Sequence, residues 1–226
     1  GKKWDTETIV AMNPDLIICS TAMSGYKTIE APAEAAGIQV IAMSYNDFSD
    51  YLKWFKVFCN LNGQPELWDT VAMPALDKVV DVLCRIPENP ENAPKVFAMF
   101  SATKDNITAN TSNTVLGGMI SEMQAVNISD ADNTSGAERI EINMESVFAA
   151  DPDMIVVQCH ASKEDDAAQL DRVYGGNAVW QSLRAVKEGK VYFLEPHLFH
   201  YKPNSRFADA YVTLAKILYP EIDFDN

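Results

Sequence analysis

The side chains in this sequence that are best suited to binding a ligand gather just after predicted strands. Imidazole and phenol groups hydrogen-bond to polar ligands, and both can bind iron or haem iron directly. Several loops that bring such groups together form a pocket for one small molecule. The residues concerned are His160, His197, His200, Tyr26, Tyr45 and Tyr201, with Ser20 and Ser44 beside them.

The four cysteines offer a second kind of chemistry. None of them has the C-x-x-C spacing of a zinc site. Cys19 and Cys159 each end a predicted strand, where they could form a disulfide, bind a soft metal or simply pack. Cys59 and Cys84 fall in helical patterns and are predicted to be buried, small apolar residues.

Signatures of catalysis are missing from the sequence. There is no G-x-S-x-G elbow, no P-loop and no H-E-x-x-H, and the glycine pair in "YGGNAVW" (174–180) lacks the dinucleotide fingerprint. The sequence therefore predicts a protein that is not an enzyme and that has no resident cofactor.

Charge narrows the possible partners. With 18 Lys and Arg against 32 Asp and Glu, the net charge is −14, which argues against nucleic acid as a partner. No apolar run approaches the ~20 residues of a membrane span. No signal peptide is recognisable, so the chain is expected to be cytosolic or a mature or trimmed form.

The predicted helices and strands that position the histidine and tyrosine side chains include a duplicated segment. "DTETIVAMNPDLII" (5–18) aligns with "NMESVFAADPDMIV" (143–156) at a constant offset of 138. Each copy predicts a short helix, a turn with proline, and a buried strand. Pro14 and Pro152 exclude the preceding residues, Asn13 and Asp151, from right-handed helical geometry, so each helix must end there.

Strands and helices alternate along the rest of the chain, which predicts α/β lobes with parallel sheets. Residues 24–44 predict a helix that ends at Gly37 and then a strand, which form a strand–helix–strand crossover with the strand before them. Further helices are expected at 46–63, from 66 to 86, at 113–128 and at 203–220. Pro74 must kink the second of these or begin a new helix there. Ligands of such sheets bind beyond the carboxyl ends of the strands.

The chain also resembles the class III substrate-binding proteins of ABC importers, which bind iron-siderophore, haem and cobalamin. The resemblance is carried by "WDTETIVAMNPDLIICS", "AAGIQVIAMS", "INMESVFAADPDMIVV", "WQSLRAVKEGKVYFL" and "NSRFADAYVTLAKILYPE", in the family's order. It implies two α/β lobes joined by one long helix: 1–65 as the first lobe, 66–90 as the connecting helix and break, and 91–226 as the second lobe.

The resemblance assigns roles to particular residues. One acidic residue in each repeat, Glu7 and Glu145, is expected to dock onto arginines of a membrane permease. An acidic residue in the first turn also stabilises its own helix, so both roles can hold. The expected ligand contacts are Ser20, Tyr26, Tyr45, Thr108, Asn110, His160, Phe199, His200 and Tyr201.

The function implied is extracytoplasmic capture of an iron complex, siderophore or haem, and its delivery to an ABC permease. A binder of bare metal or cobalamin on the same scaffold remains open, as do a cofactor-holding enzyme on a related two-lobe fold and a ligand-free sensor. Family members usually have a further strand–helix–strand portion ahead of Trp4. The first lobe is therefore expected to be truncated and to expose an edge strand.

Overall fold

A computed structural model describes residues 4–88, 90–103 and 105–225. The chain divides into two compact units, Gly1–Gly63 and Gln64–Asn226. The domain limits predicted from the sequence remain a prediction, and each unit is described by itself. None of the helices in the described ranges is both long enough and apolar enough to cross a membrane.

The first unit is the predicted crossover with a helix on either side. Strands β1 (Leu16–Ser20) and β2 (Gln39–Met43) pair in parallel, with Leu16 opposite Gln39. Gly37, at φ 75°, ends the intervening helix as its sequence predicts. The helices are α1 (Thr6–Ala11), α2 (Tyr26–Ala35) and α3 (Phe48–Leu61).

The two repeated strands differ in burial. The second copy lies in the middle of a larger sheet and is buried along its whole length, as predicted. In β1 no residue is fully buried, and Ile18 is 50% exposed, so the prediction of a buried strand is wrong for the first copy. The reason is that β1 has β2 as its single strand neighbour within the described residues, and a two-stranded sheet leaves much of its surface open.

The second unit begins with helical structure that packs against the C-terminal helix. A π-helical turn, Trp68–Ala72, leads directly into α4 (Met73–Arg85), whose first turn contains Pro74 as predicted. The sequence pattern of α4 predicts an apolar stripe of Leu76, Val79, Val80 and Leu83, and this prediction is wrong at Val80, which is 48% exposed. The buried face instead follows Ala75, Val79, Val82 and Ile86, and this rotation leaves Cys84 exposed rather than buried.

A six-stranded mixed sheet forms the centre of this unit. Its strand order is β6-β4-β3-β7-β8, and β5 also pairs with β3. The pairs of β3 with β5 and β7, and of β7 with β8, are parallel, while β4 is antiparallel to β3 and β6. The strands are β3 (Lys95–Ser101), β4 (Ile107–Asn110), β5 (Val126–Asn127), β6 (Arg139–Ile140), β7 (Met154–Cys159) and β8 (Val191–Leu194).

Strand β4 corrects the sequence analysis. The sequence pattern predicts residues 101–113 as a loop after a strand, but β4 lies within this range and pairs antiparallel with β3, with Phe100 opposite Thr108. The four residues of β4 are too few to show a clear alternation of apolar and polar side chains. Their strand conformation therefore depends on pairing with β3 and β6. The helix predicted over 113–128 is also too long, because Gln124 adopts a left-handed φ of 59° and ends it.

Helices flank the sheet and enclose its core. Phe97, Met99, Ile155 and Val157 project from the central strands and pack with Trp180 and Leu183. The sequence pattern of the C-terminal helix predicts an apolar stripe, and five of its six residues are buried while Ile217 is half-buried: Phe207, Ala210, Tyr211, Leu214, Ile217 and Leu218. The helices are α5 (Val115–Glu122), α6 (Met144–Ala150), α7 (Lys163–Tyr174), α8 (Ala178–Ser182), α9 (Arg184–Lys187), α10 (Pro196–Phe199) and α11 (Phe207–Leu218).

Candidate functional site

The strongest cluster of ligand-binding side chains lies beyond the carboxyl ends of β7 and β8. His160 follows β7 directly, and His200 and Tyr201 follow α10, which begins two residues after β8. The His160 and His200 ring centroids are 4.8 Å apart, and those of His200 and Tyr201 are 4.7 Å apart. Three predicted site residues from two separate segments are thus brought together.

Local hydrogen bonds hold the two segments in place. Asp166, 3% exposed at the start of α7, accepts bonds from the backbone N–H groups of His160 and Ala161 at 3.1 and 3.0 Å. The Tyr201 hydroxyl donates to the His160 carbonyl at 3.4 Å. The backbone segments that carry the two imidazole rings are therefore held in place by hydrogen bonds.

His200 is the most constrained of the three histidines. Its ring stacks on Phe100 at 5.4 Å, and its Nδ1 atom is buried without a hydrogen-bond partner in the described residues. Burial, reinforced by the neighbouring His160 and Arg139, lowers the pKa of His200 below its usual value. A neutral imidazole can accept a hydrogen bond or bind a metal through one nitrogen, but the Nδ1 atom of His200 is buried and not open to solvent.

His197 lies at the margin of this cluster. Its ring is 5.8 Å from that of Tyr201, and the residue is exposed. Tyr201 is itself 57% exposed, so its phenol face is open to solvent.

Arg139 is a further member of this cluster, and sequence reasoning missed it. Its guanidinium lies over the Phe100 ring at 4.2 Å, and its Nε donates to Asn110 Oδ1 at 3.0 Å. The residue stands in a two-residue strand, and nothing in its local pattern distinguishes it from a surface arginine. Its placement depends on the pairing of β6 with β4.

Three other predicted contacts in this unit have less access to a ligand. Asn110 is fully buried, and Phe199 is 4% exposed. Thr108 is half-buried, and its hydroxyl oxygen is buried with no hydrogen-bond partner in the part of the chain that the structure describes. Ligand contact by these three residues stays a prediction.

In the first unit the predicted residues lie around the end of the small sheet. Ser20 ends β1, and its hydroxyl accepts from Ala22 N at 3.2 Å. Tyr26 is the first residue of α2 rather than a loop residue, and it donates to Glu30 at 2.8 Å. Tyr45 follows β2 and is half-buried. Their contact with a ligand also stays a prediction.

The two repeated glutamates occupy equivalent places in their own units. Glu7 is in the first turn of α1, capped by Asp5, and Glu145 is in the first turn of α6, capped by Asn143. Both are exposed, and neither carboxylate has an ion-pair partner among the described residues. Each is available to a basic partner.

The cysteines contribute little to a metal site. All four are free thiols. Burial raises the pKa of Cys159 to about 12, so it stays protonated near neutral pH, and burial likewise raises the pKa of Cys19. In the described residues there is no group of three or more His, Cys, Asp and Glu side chains able to hold a metal ion.

Comparison with known proteins assigns the chain to a family. A family model described as "Periplasmic binding protein" matches residues 1–198. The chain belongs to the periplasmic binding protein family. Among curated members, the "Putative ABC transporter substrate-binding lipoprotein YhfQ" of Bacillus subtilis (strain 168) is 23% identical over 197 residues. That match covers 84% of this chain and 58% of YhfQ, so the chain spans less than two thirds of this relative.

Several solved structures share the α/β fold predicted for this chain. FepB, a TroA-like periplasmic binding protein from Veillonella parvula, is 22% identical, with TM-score 0.78 over 100% of this chain and 70% of FepB. S. aureus IsdE complexed with heme is 15% identical, with TM-score 0.74 over 95% and 81%. FeuA, the triscatecholate siderophore binding protein of Bacillus subtilis, complexed with ferri-bacillibactin, is 21% identical, with TM-score 0.68 over 96% and 74%.

Proposed function

We propose that this periplasmic binding protein captures an iron complex, a siderophore or haem, outside the cytoplasm and delivers it to an ABC permease in the membrane. The family supports a binding and transport role over an enzymatic one. The description of YhfQ supports an ABC transporter and a location outside the cytoplasm. The ligands of IsdE and FeuA support an iron complex.

The observation that carries the proposal is the group formed by His160, His200, Tyr201 and Arg139 beyond the parallel strands. Imidazole and phenol groups supply iron ligands or hydrogen bonds, and the guanidinium supplies a positive charge. In this group the Nδ1 atom of His200 is buried, and the neighbouring Tyr201 is 57% exposed, so the phenol is the part most open to a ligand. These features suit recognition of an aromatic, oxygen-rich complex more than turnover of a substrate.

Delivery is assigned to Glu7 and Glu145. Each is an exposed carboxylate, one in each unit, in the first turn of a helix that follows the same local pattern. Carboxylates of this kind form bidentate pairs with arginine, which fixes the orientation of a partner as well as its position. The partner is therefore proposed to be a permease that presents basic pockets.

The ligand class is tested by quenching of the intrinsic Trp and Tyr fluorescence with haem, a ferric catecholate, a ferric hydroxamate and cobalamin. We expect at least one of the iron complexes to bind with Kd below about 10 µM. On this scale, a Kd of 1 µM corresponds to a binding free energy of about −8 kcal/mol. If none of them binds at this level, the proposed function is wrong.

Bare metal is the second candidate, favoured by the 4.8 Å approach of the His160 and His200 rings. A zinc titration in the same assay distinguishes the two. Binding of zinc through these imidazoles, without binding of any iron complex, would replace the proposed function with metal-ion transport.

A further inference from the structure

The outer face of α6 combines the carboxylate of Glu145 with a large apolar side chain. Glu145, Phe148 and Ala149 are exposed, while Val147 is buried. Residues three and four positions apart lie on the same side of a helix, so the three exposed residues form one outward face. Phe148 is 55% exposed. An aromatic ring therefore lies on the surface one helical turn from Glu145.

The repeat shows that the local fold does not require this phenylalanine. A single exposed apolar side chain is ordinary on a protein surface and by itself indicates nothing. At the offset of 138, however, the residue that matches Phe148 is Val10, which is half-buried in α1. Both copies form a helix, a turn and a strand. The exposed ring is thus a property of the surface of the second unit rather than of the repeated fold.

Phe148 also borders a groove between the end of α6 and α9. The groove has a volume of about 490 Å³. Its wall combines the apolar side chains of Phe148 and Leu183 with charged side chains. A groove of this size has room for a few side chains of another protein. Its other lining residues are Asp151, Ser182, Arg184, Lys187 and Glu188.

The charges in the groove leave one cation without a partner. Arg184 pairs with Asp151 at 3.1 Å, and Glu188 pairs with Lys190 at 2.7 Å. Lys187 is exposed and forms no ion pair with any residue that the structure describes. In a chain of net charge −14, the groove therefore presents a positive charge beside an apolar wall. This combination fits a protein segment with an apolar side chain and a carboxylate.

We propose that this groove, named the Phe148 groove after the residue at its edge, receives a segment of the ABC permease that carries an apolar and an acidic side chain. The inference rests on the proposed function and adds a second contact to the docking carboxylate. Glu145 and Phe148 share one face of α6, so a partner that reaches the carboxylate also covers the ring. Aromatic side chains and arginines contribute most to the stability of protein interfaces, which suits Phe148 beside an arginine bound to Glu145.

The occupant is tested by photo-crosslinking in cells that produce this protein and its permease. Phe148 is replaced by p-benzoylphenylalanine, which keeps the aromatic ring, and the crosslinked partner is identified by mass spectrometry. Val80, 48% exposed on α4 of the same unit, carries the same probe as the control. We expect a crosslink to the permease from position 148 and none from position 80. A crosslink from position 148 to a second copy of this chain, or no crosslink to the permease, would overturn the inference.

The strength of the contact is measured by titrating the protein against right-side-out membrane vesicles that contain the permease. Phe148→Ala is expected to weaken docking by about tenfold, or about 1.4 kcal/mol, because burial of a phenylalanine side chain contributes at least this much. Lys187→Gln is expected to weaken docking by about twofold to fivefold, as for the loss of an exposed ion pair. Val80→Ala should change docking by less than about twofold.

A ligand titration separates this inference from the proposed function. Fluorescence quenching by the iron complexes should be the same for Phe148→Ala and the unmodified protein. If Phe148→Ala docks as tightly as the unmodified protein, the inference is wrong while docking through Glu7 and Glu145 stands. If this variant loses both docking and ligand affinity, the substitution acts through the fold and the inference is also wrong. If the unmodified chain binds no iron complex, the proposed function fails and this inference with it.

Discussion

At the scale of single residues, His200 links the stability of the chain to pH. Burial, His160 and Arg139 lower its pKa, while Asp166 acts in the opposite direction. Because the folded pKa lies below the ordinary 6.5, the unfolded chain takes up the proton more readily. The contribution of His200 to stability is therefore complete above pH 6.5 and is lost as the pH falls from there toward the lowered pKa.

We expect His200→Phe to reduce this loss, since phenylalanine keeps the stack on Phe100 and does not titrate. The measurement is the free energy of unfolding by urea at pH 7.5 and 5.5, for both proteins. His197→Phe, at an exposed histidine nearby, should lose as much stability as the unmodified chain. An equal loss in the His200→Phe protein would show that other groups are responsible.

At the scale of elements, the repeated turn shows how a proline restricts the backbone conformation of the residue before it. The prolines exclude right-handed helix at the residues before them, and the structure places both in the left-handed region, Asn13 at φ 47° and Asp151 at φ 43°. Asparagine and aspartate tolerate this region better than other residues with a side chain. The predicted end of each helix is therefore confirmed, together with its mechanism.

Asn13 allows this geometry to be tested, because its side chain makes no hydrogen bond within the described residues, whereas Asp151 pairs with Arg184 at 3.1 Å. We expect Asn13→Ala to lower the free energy of unfolding by about 1 kcal/mol relative to Asn13→Gly, since alanine is penalised at positive φ and glycine is not. Asn60→Ala, within α3, is the control and should be near neutral. Equal stability of the two Asn13 variants would contradict the strained turn.

At the scale of the whole molecule, the repeat supplies one exposed carboxylate to each unit. We expect Glu7→Ala with Glu145→Ala to abolish permease-dependent uptake and to leave ligand affinity unchanged, because neither residue is among the predicted ligand contacts. Uptake by cells and fluorescence titration measure the two effects separately. Glu66→Gln and Glu91→Gln, exposed acids outside the repeats, are the matched charge controls. Normal uptake by the double alanine variant would remove the docking assignment.

The features that could be predicted from the sequence depend on neighbours along the chain. The helix–turn–strand repeat, the first crossover, the Pro74 helix start and the buried face of α11 follow from periodicity and proline geometry, which act over a few residues. The family resemblance also came from such segments, and the family match confirms it. The grouping of His160, His200 and Tyr201 was partly predictable, because parallel strands end at one edge.

The features that could not be predicted depend on pairing between distant segments. Strand β4, the rotated face of α4 and the open first strand each result from which neighbour is present, and a short segment does not encode its neighbour. Arg139 reaches Phe100 and Asn110 because β6 pairs with β4, and Gln158 bonds to Asn110 because a polar side chain in a buried strand must find a partner. The sequence by itself thus determined the local backbone geometry, while the pairing of distant strands decided which side chains lie near His200.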